Sequence, residues 1–155
     1  MIKHLLITAL LFIGYSSLQA QTISENALGV RIGDNKSLGA EISYQRGLGG
    51  NTRMELDLGW RNSDNVDVIK LAGLYQWVFK IDKGLNWYVG AGGGIGSSSN
   101  ENGTNSFFFV AGDIGIEYNF DAPILLSLDF RPEFGFSDFN DDLGFDIGLG
   151  IRYQF

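Results

Sequence analysis

The sequence predicts an all-β protein: an eight-stranded antiparallel up-and-down transmembrane β-barrel preceded by a cleaved signal peptide. Three observations carry that expectation. The segment from Leu143 to Phe155 alternates almost without fault, Leu143, Phe145, Ile147, Leu149, Ile151, Tyr153 and Phe155 against Gly144, Asp146, Gly148, Gly150, Arg152 and Gln154. Side chains of a strand change face at every residue, so this strand has one apolar side. Seven more segments of the same kind precede it, and their apolar faces carry aromatics at both ends. The first twenty residues read as a leader.

The leader comes first in the chain. Lys3 and His4 give a charged start, 5–13 an apolar run broken only by Thr8, and 14–20 a small and polar stretch that closes on Leu18-Gln19-Ala20. That is the three-part layout of a secretory signal peptide, with cleavage expected after Ala20. The apolar run is too short for a membrane-spanning helix, which needs about 20 residues. The domain division is therefore 1–20 signal peptide and 21–155 barrel.

The strands follow in order, separated by Gly, Asn, Asp and Ser. Strand one is expected over 27–33, with Leu28, Val30 and Ile32 opposite Arg31. Strand two, 38–46, sets Leu38, Ala40, Ile42 and Tyr44 against Glu41, Ser43 and Gln45. Strand three, 52–61, sets Met54, Leu56, Leu58 and Trp60 against Arg53, Glu55, Asp57 and Arg61. Strand four, 66–79, turns Ile69, Leu71, Tyr75, Trp77 and Phe79 away from Lys70, Leu74 and Gln76. Strand five, 86–96, opposes Trp87, Val89 and Ile95 to Tyr88, Gly90, Gly92 and Gly94, and the inward glycines are expected to make room for bulky inward groups such as arginines of neighbouring strands. Strand six, 107–118, opposes Phe108, Val110, Ile114, Ile116 and Tyr118 to Phe109, Asp113 and Glu117. Strand seven, 124–134, opposes Ile124, Leu126, Leu128, Phe130 and Phe134 to Ser127, Asp129, Arg131 and Glu133. Strand eight is the closing segment. Outer turns are expected at 34–37, 62–65, 97–105 and 135–142, and periplasmic turns at 47–51, 80–85 and 119–123, with none of the outer loops long.

The choice between a soluble and a membrane barrel rests on which face is buried. Tyr44, Trp77, Phe79, Trp87, Tyr118, Tyr153 and Phe155 fall at one set of strand ends, and Trp60, Phe108, Phe134 and Phe145 at the other. Two aromatic girdles around an aliphatic band suit a bilayer with two interfaces. The opposite face carries both signs of charge at mid-strand: Arg31, Arg53, Lys70, Arg131 and Arg152 with Glu41, Glu55, Asp57, Asp113, Glu117, Asp129, Glu133 and Asp146. Such groups can pair across a narrow lumen, and buried charge is tolerated only when paired.

Composition narrows the function. The 155-residue chain has 22 glycines, no cysteine and one histidine, His4. Removal of the leader takes away that histidine and Lys3, leaving 18 acids against 10 bases and a net charge of −8. An acidic chain does not select nucleic acid. Without Cys there is neither a disulfide nor a lipidated anchor. Mean hydropathy is near zero, as alternating faces require. Hydrolases and acyl transferases commonly pair Ser with His, and the mature chain has no His, so no catalytic residues are expected. The run 90–96 lacks the GxGxxG spacing of a nucleotide loop. The acidic stretch 137–142 lacks the spacing of a calcium loop and reads as a solvated loop. No metal or cofactor is expected.

The mature chain resembles the small outer-membrane β-barrel family, the group of OmpX and the OmpA transmembrane domain. The most specific part of the resemblance is Gly148-Leu149-Gly150-Ile151-Arg152-Tyr153-Gln154-Phe155. It looks like the C-terminal β-signal read by the barrel-assembly machinery, with Gly150, Tyr153 and Phe155 as its defining positions, although Gly148 stands where a polar residue is preferred. The resemblance implies an integral, monomeric protein of a Gram-negative outer membrane, in contact with outer-membrane lipid and surface glycolipid. It names a location and an assembly route, not an activity. The function expected is non-enzymatic, with a plugged polar interior and a structural or surface-interaction role. A lipid-acting outer-membrane enzyme and a narrow passage for small molecules are the alternatives.

Overall fold

The structure, a computed structural model, describes residues 23–34, 38–120, 122–136 and 143–155. The expected leader at 1–20, most of the first outer turn, position 121 and the acidic stretch 137–142 lie outside the described residues. The described residues form β1 (Asn26–Asp34), β2 (Leu38–Gly49), β3 (Thr52–Ser63), β4 (Val66–Asp82), β5 (Leu85–Asn100), β6 (Gly103–Asn119), β7 (Ile124–Phe136) and β8 (Leu143–Gln154). Each pairs antiparallel with the next, and β1 pairs with β8 to close the barrel. At the join, Asn26 and Phe155 exchange backbone hydrogen bonds of 3.1 and 2.9 Å. Closure leaves no open edge, which is the condition for a sheet to cross lipid, where no water can satisfy a free N–H or C=O. Every strand has at least the roughly 9 residues that a tilted crossing needs.

Burial is inverted relative to a soluble barrel. On β8, Leu143, Phe145, Ile147, Leu149, Ile151 and Tyr153 are exposed, whereas Asp146, Gly148, Gly150 and Arg152 are buried. The same holds around the wall: Leu28, Val30, Ile32, Ile42, Leu58, Leu71, Ile114, Ile116 and Leu128 face outward. The buried apolar side chains among the described residues are few, with Ala72, Leu74, Phe109 and Ala111 in one small cluster capped by Phe107. A water-soluble barrel of this composition would place the aliphatic band inside. Here that band surrounds a charged interior, the arrangement of a transmembrane barrel.

The aromatic girdles are built as pairs. Tyr75 and Trp77 meet edge to face at 4.9 Å, Tyr118 and Phe120 at 4.8 Å, and Tyr153 lies 6.2 Å from Phe155, all toward the end where Asn26 pairs with Phe155. At the outer end Phe108 stacks with Phe136 at 5.9 Å, and Phe136 meets Phe134 at 4.9 Å. Phe79 and Trp87 stack on each other at 4.7 Å and are half-buried, and Tyr44 turns its hydroxyl to Asn26 Oδ1 at 2.6 Å.

Two expectations need correction. The stretch 97–105 is not a loop. β5 and β6 continue through it as a hairpin in register from Ser97↔Ser106 to Asn100↔Gly103, so this outer end projects four residue pairs further. The hydroxyls of Ser99 and Thr104 bond across it at 3.0 Å, and Gly103 (φ +134°) closes the turn. Polar residues paired on both faces give no alternation to read. The inward glycines of β5 do make room for bulky groups of the neighbouring strands, but those groups are not arginines. A Cβ at Gly94 or Gly96 would meet the rings of Phe109 and Phe107, and one at Gly90 would meet the Gln76 side chain and β4 backbone. The strands flanking β5 present those residues inward, so two aromatic rings and the Gln76 amide side chain, not guanidinium groups, occupy the space. By contrast, the β3–β4 turn is the two-residue hairpin its sequence announces. Asp64 (φ 48°) and Asn65 (φ 65°) take the positive angles such turns demand.

Candidate functional site: the ionic interior

The alternation of each strand delivers one row of polar side chains to the lumen. Arg31 of β1, Arg131 of β7 and Arg152 of β8 are fully buried there, as is Arg53 of β3 at 2 % exposure. A guanidinium can bond several carboxylates in one plane, which suits it to a dry ionic cluster.

Arg31 bonds both carboxylate oxygens of Asp129 and reaches Glu41 at 3.1 Å and Asp146 at 3.0 Å. Glu41 also accepts from Arg131 at 3.4 Å. Arg131 continues to Glu55 at 3.0 Å and Asp57 at 2.7 Å. Glu55 in turn accepts from Arg152 at 3.2 Å, and Arg152 donates to Ser43 at 2.9 Å and Ser127 at 2.8 Å. One connected chain of ions therefore runs Asp146, Arg31, Glu41, Arg131, Glu55, Arg152, and links β8, β1, β2, β7 and β3. Arg61, half-buried at the outer side, joins it through Asp146 at 3.1 Å.

Two satellites complete the interior. Arg53 pairs with Glu117 at 2.7 Å, donates to Gln76 at 2.7 Å, and stands 4.8 Å from the centroid of the Tyr88 ring. Gln76 passes the chain on to Asp113 at 2.5 Å. Tyr88 reaches from β5 over β6 to β7, its hydroxyl 3.4 Å from Asp129, with its ring in the space left by Gly115. Lys70 bonds Glu133 at 2.7 Å and sits 5.2 Å from the Phe109 ring.

All thirteen residues singled out as an interior charge network point inward and are at most 9 % exposed. The structure joins eight of them with Arg61, Ser43 and Ser127 into the main chain of contacts, leaving Arg53–Glu117, Asp113 and Lys70–Glu133 on its flanks. The neutral partners Ser43, Gln45, Gln76, Asn86, Ser127 and Tyr88 were legible as inward-facing but not as members of the cluster. Gln45 bonds Glu55 at 2.5 Å and Asn86 bonds Glu117 at 3.2 Å. No cluster of three or more His, Cys, Asp or Glu that could hold a metal ion occurs among the described residues. Gly150 and Tyr153 sit on β8 and Phe155 directly follows it, with Gly150 buried in the lumen wall and the two aromatics exposed at the end where Phe155 pairs with Asn26.

No protein-family model matches the chain, and no curated protein matches it in sequence. Solved structures do. The N-terminal β-barrel domain of Pseudomonas aeruginosa OprF is similar at a TM-score of 0.75 and 17 % identity, covering 85 % of this chain and 98 % of that one. Neisserial surface protein A aligns at 0.66 and 11 % identity, over 84 % and 96 % of the two chains. Ail, the attachment invasion locus protein of Yersinia pestis, aligns at 0.59 and 16 % identity, over 85 % and 97 %. At such identities the likeness is one of fold: small eight-stranded outer-membrane barrels share this architecture.

Proposed function

We propose that the chain is a non-enzymatic, monomeric integral protein of a Gram-negative outer membrane, with a structural or surface-interaction role. Its lumen is closed by the connected ionic cluster. That cluster is the observation that carries the reading. An eight-stranded barrel is about wide enough for its own side chains. Here Arg131 crosses from β7 to Asp57 on the opposite strand β3, while Arg31 from β1 and Tyr88 from β5 both converge on Asp129 of β7. A passage would need mobile or absent side chains at this level, and each guanidinium is tied to two or more partners. A lipid-acting site would need a nucleophile beside a general base. The lumenal serines Ser43 and Ser127 each accept from Arg152 instead.

The apolar wall is in contact with membrane lipid. The exposed outer carboxylates Asp34, Asp64, Asp67 and Glu101 suit divalent cations shared with anionic surface glycolipid. Residues 1–20 direct export and are removed. Gly150, Tyr153 and Phe155 are read by the barrel-assembly machinery. The fold similarity to outer-membrane barrels and the outward apolar belt both support this placement.

Liposome swelling and lipid A profiling test the proposal together. Liposomes carrying the refolded protein should swell in small sugars no faster than empty ones. Cells with and without the protein should show the same lipid A species. Sugar-dependent swelling would favour a passage, and a changed lipid A profile an enzyme.

A further inference from the structure

The seam between β1 and β8 poses a problem that no other strand pair has. Hairpin registers are set by their turns, but the first and last strands share none. A slip of one residue is forbidden by the faces, since it would turn Arg31 and Arg152 into lipid. A slip of two keeps every face correct, so something else must exclude it.

The seam residues supply that selection. Asn26 and Phe155 exchange both backbone bonds. Counting by twos, Val30↔Ile151 is also a hydrogen-bonded pair, while the lumenal pairs Gly29↔Arg152, Arg31↔Gly150 and Gly33↔Gly148 fall at the closer, non-hydrogen-bonded positions. There each arginine faces a glycine. The space is used: a Cβ on Gly148 would fall into the Arg31 guanidinium, one on Gly33 would meet Arg31 and Asp146, and one on Gly29 would run into the backbone at Ile151 and Arg152. A two-residue slip one way sets Arg31 against Arg152. The other way sets Arg152 against the methyl of Ala27, which is already 1 % exposed. Only the observed register puts a glycine opposite both arginines.

We propose that this reciprocal arginine–glycine pairing selects the register in which the barrel closes, with Gly29 and Gly150 as the selecting positions. The role is distinct from recognition of Gly150 by assembly machinery, because it acts within the chain and operates when the protein refolds alone.

The test is refolding into detergent micelles, with no assembly machinery present. The cysteine-free chain carries one of three engineered pairs: V30C/I151C for the observed register, V30C/L149C and V30C/Y153C for the slips. Disulfide yield reports the pairing, since the bond needs Cα atoms within about 7 Å. In the parent sequence V30C/I151C should cross-link at least tenfold faster than either other pair. Ala27→Gly with Gly29→Ala moves the space by two residues and should transfer the dominant cross-link to V30C/L149C. Gly150→Ala, whose methyl would meet side-chain atoms of Ser127 and Arg152, should split the yield between V30C/I151C and V30C/L149C. Gly73→Ala, whose methyl meets Leu56 at an ordinary 3.5 Å, should leave the parent pattern. Retention of V30C/I151C alone in Gly150→Ala, or in the folded Ala27→Gly/Gly29→Ala protein, overturns the proposal. If the double variant does not fold, Gly150→Ala decides.

Discussion

Replacing Arg131 by Met removes the guanidinium on which the interior converges. Met approximates its length without its charge, so packing changes little and the electrostatic loss dominates. Arg131 is 0 % exposed and bonds Glu41 at 3.4 Å, Glu55 at 3.0 Å and Asp57 at 2.7 Å. Removing one partner of a buried ion pair typically costs about 3–5 kcal/mol, because the charge left behind is neither hydrated nor paired. Three carboxylates are affected here. Glu41 keeps Arg31 and Glu55 keeps Arg152, but Asp57 has no other cation within ion-pairing distance among the described contacts. The upper half of the range is therefore expected, about 4–5 kcal/mol, a drop of roughly a thousandfold or more in the folding equilibrium constant. Urea unfolding in phospholipid vesicles, followed by tryptophan fluorescence and by the heat-modifiable gel band, measures it as a fall in midpoint at unchanged slope. Adding Glu55→Gln and Asp57→Asn removes two of the stranded charges and should recover at least half of the loss. A cost for Arg131→Met below about 1 kcal/mol, the value of a solvated surface pair, would refute the reasoning, as would a triple variant less stable than the single one.

Other outcomes follow from the same geometry. Leu149→Arg, at mid-strand on the outer face of β8, should cost about 2–4 kcal/mol in bilayers, whereas Leu38→Arg at the outer end of β2 should cost about 0–1 kcal/mol; equal costs in vesicle unfolding would contradict the depth assignment. Phe155→Ala should slow insertion in cells, read by pulse-chase heat modifiability, while refolding in detergent keeps near-parental yield; an equal defect in both would make Phe155 a folding residue and not an assembly signal. Chelating magnesium and calcium should lower the thermal midpoint in bilayers with surface glycolipid and leave it unchanged in plain phospholipid. Mass spectrometry of the exported protein should find Gln21 at its N-terminus; retention of the leader would contradict the cleavage assignment.

Much of this was legible in the sequence because a membrane barrel writes its two environments into alternate residues. On β3, Met54, Leu56, Leu58 and Trp60 against Arg53, Glu55 and Asp57 state both face and strand without help from the rest of the chain. The interior residues follow from the same alternation, since a charge on the lumenal face has nowhere else to go. Partners were not legible. Arg131 bonds Asp57 across 74 positions and Lys70 bonds Glu133 across 63, and a single sequence carries no record of which strands face each other over the lumen. The β5–β6 extension was hidden because Ser97, Ser98, Ser99, Asn100, Thr104, Asn105 and Ser106 are polar on both faces beyond the bilayer. There water replaces lipid on the outside and the period vanishes. The β5 glycines were read as space, which they are, but their occupants are decided by β4 and β6.

Site-by-site spin labelling of β8 tests the central claim most directly, because the cysteine-free chain accepts single labels without background. With the protein in bilayers, labels at positions 145 through 151 should alternate: odd positions in collision with lipid-dissolved oxygen, even positions shielded from both oxygen and aqueous nickel reagents. Loss of that two-residue period, or even positions in lipid and odd ones shielded, would contradict an account in which apolar side chains face the membrane and ions face each other.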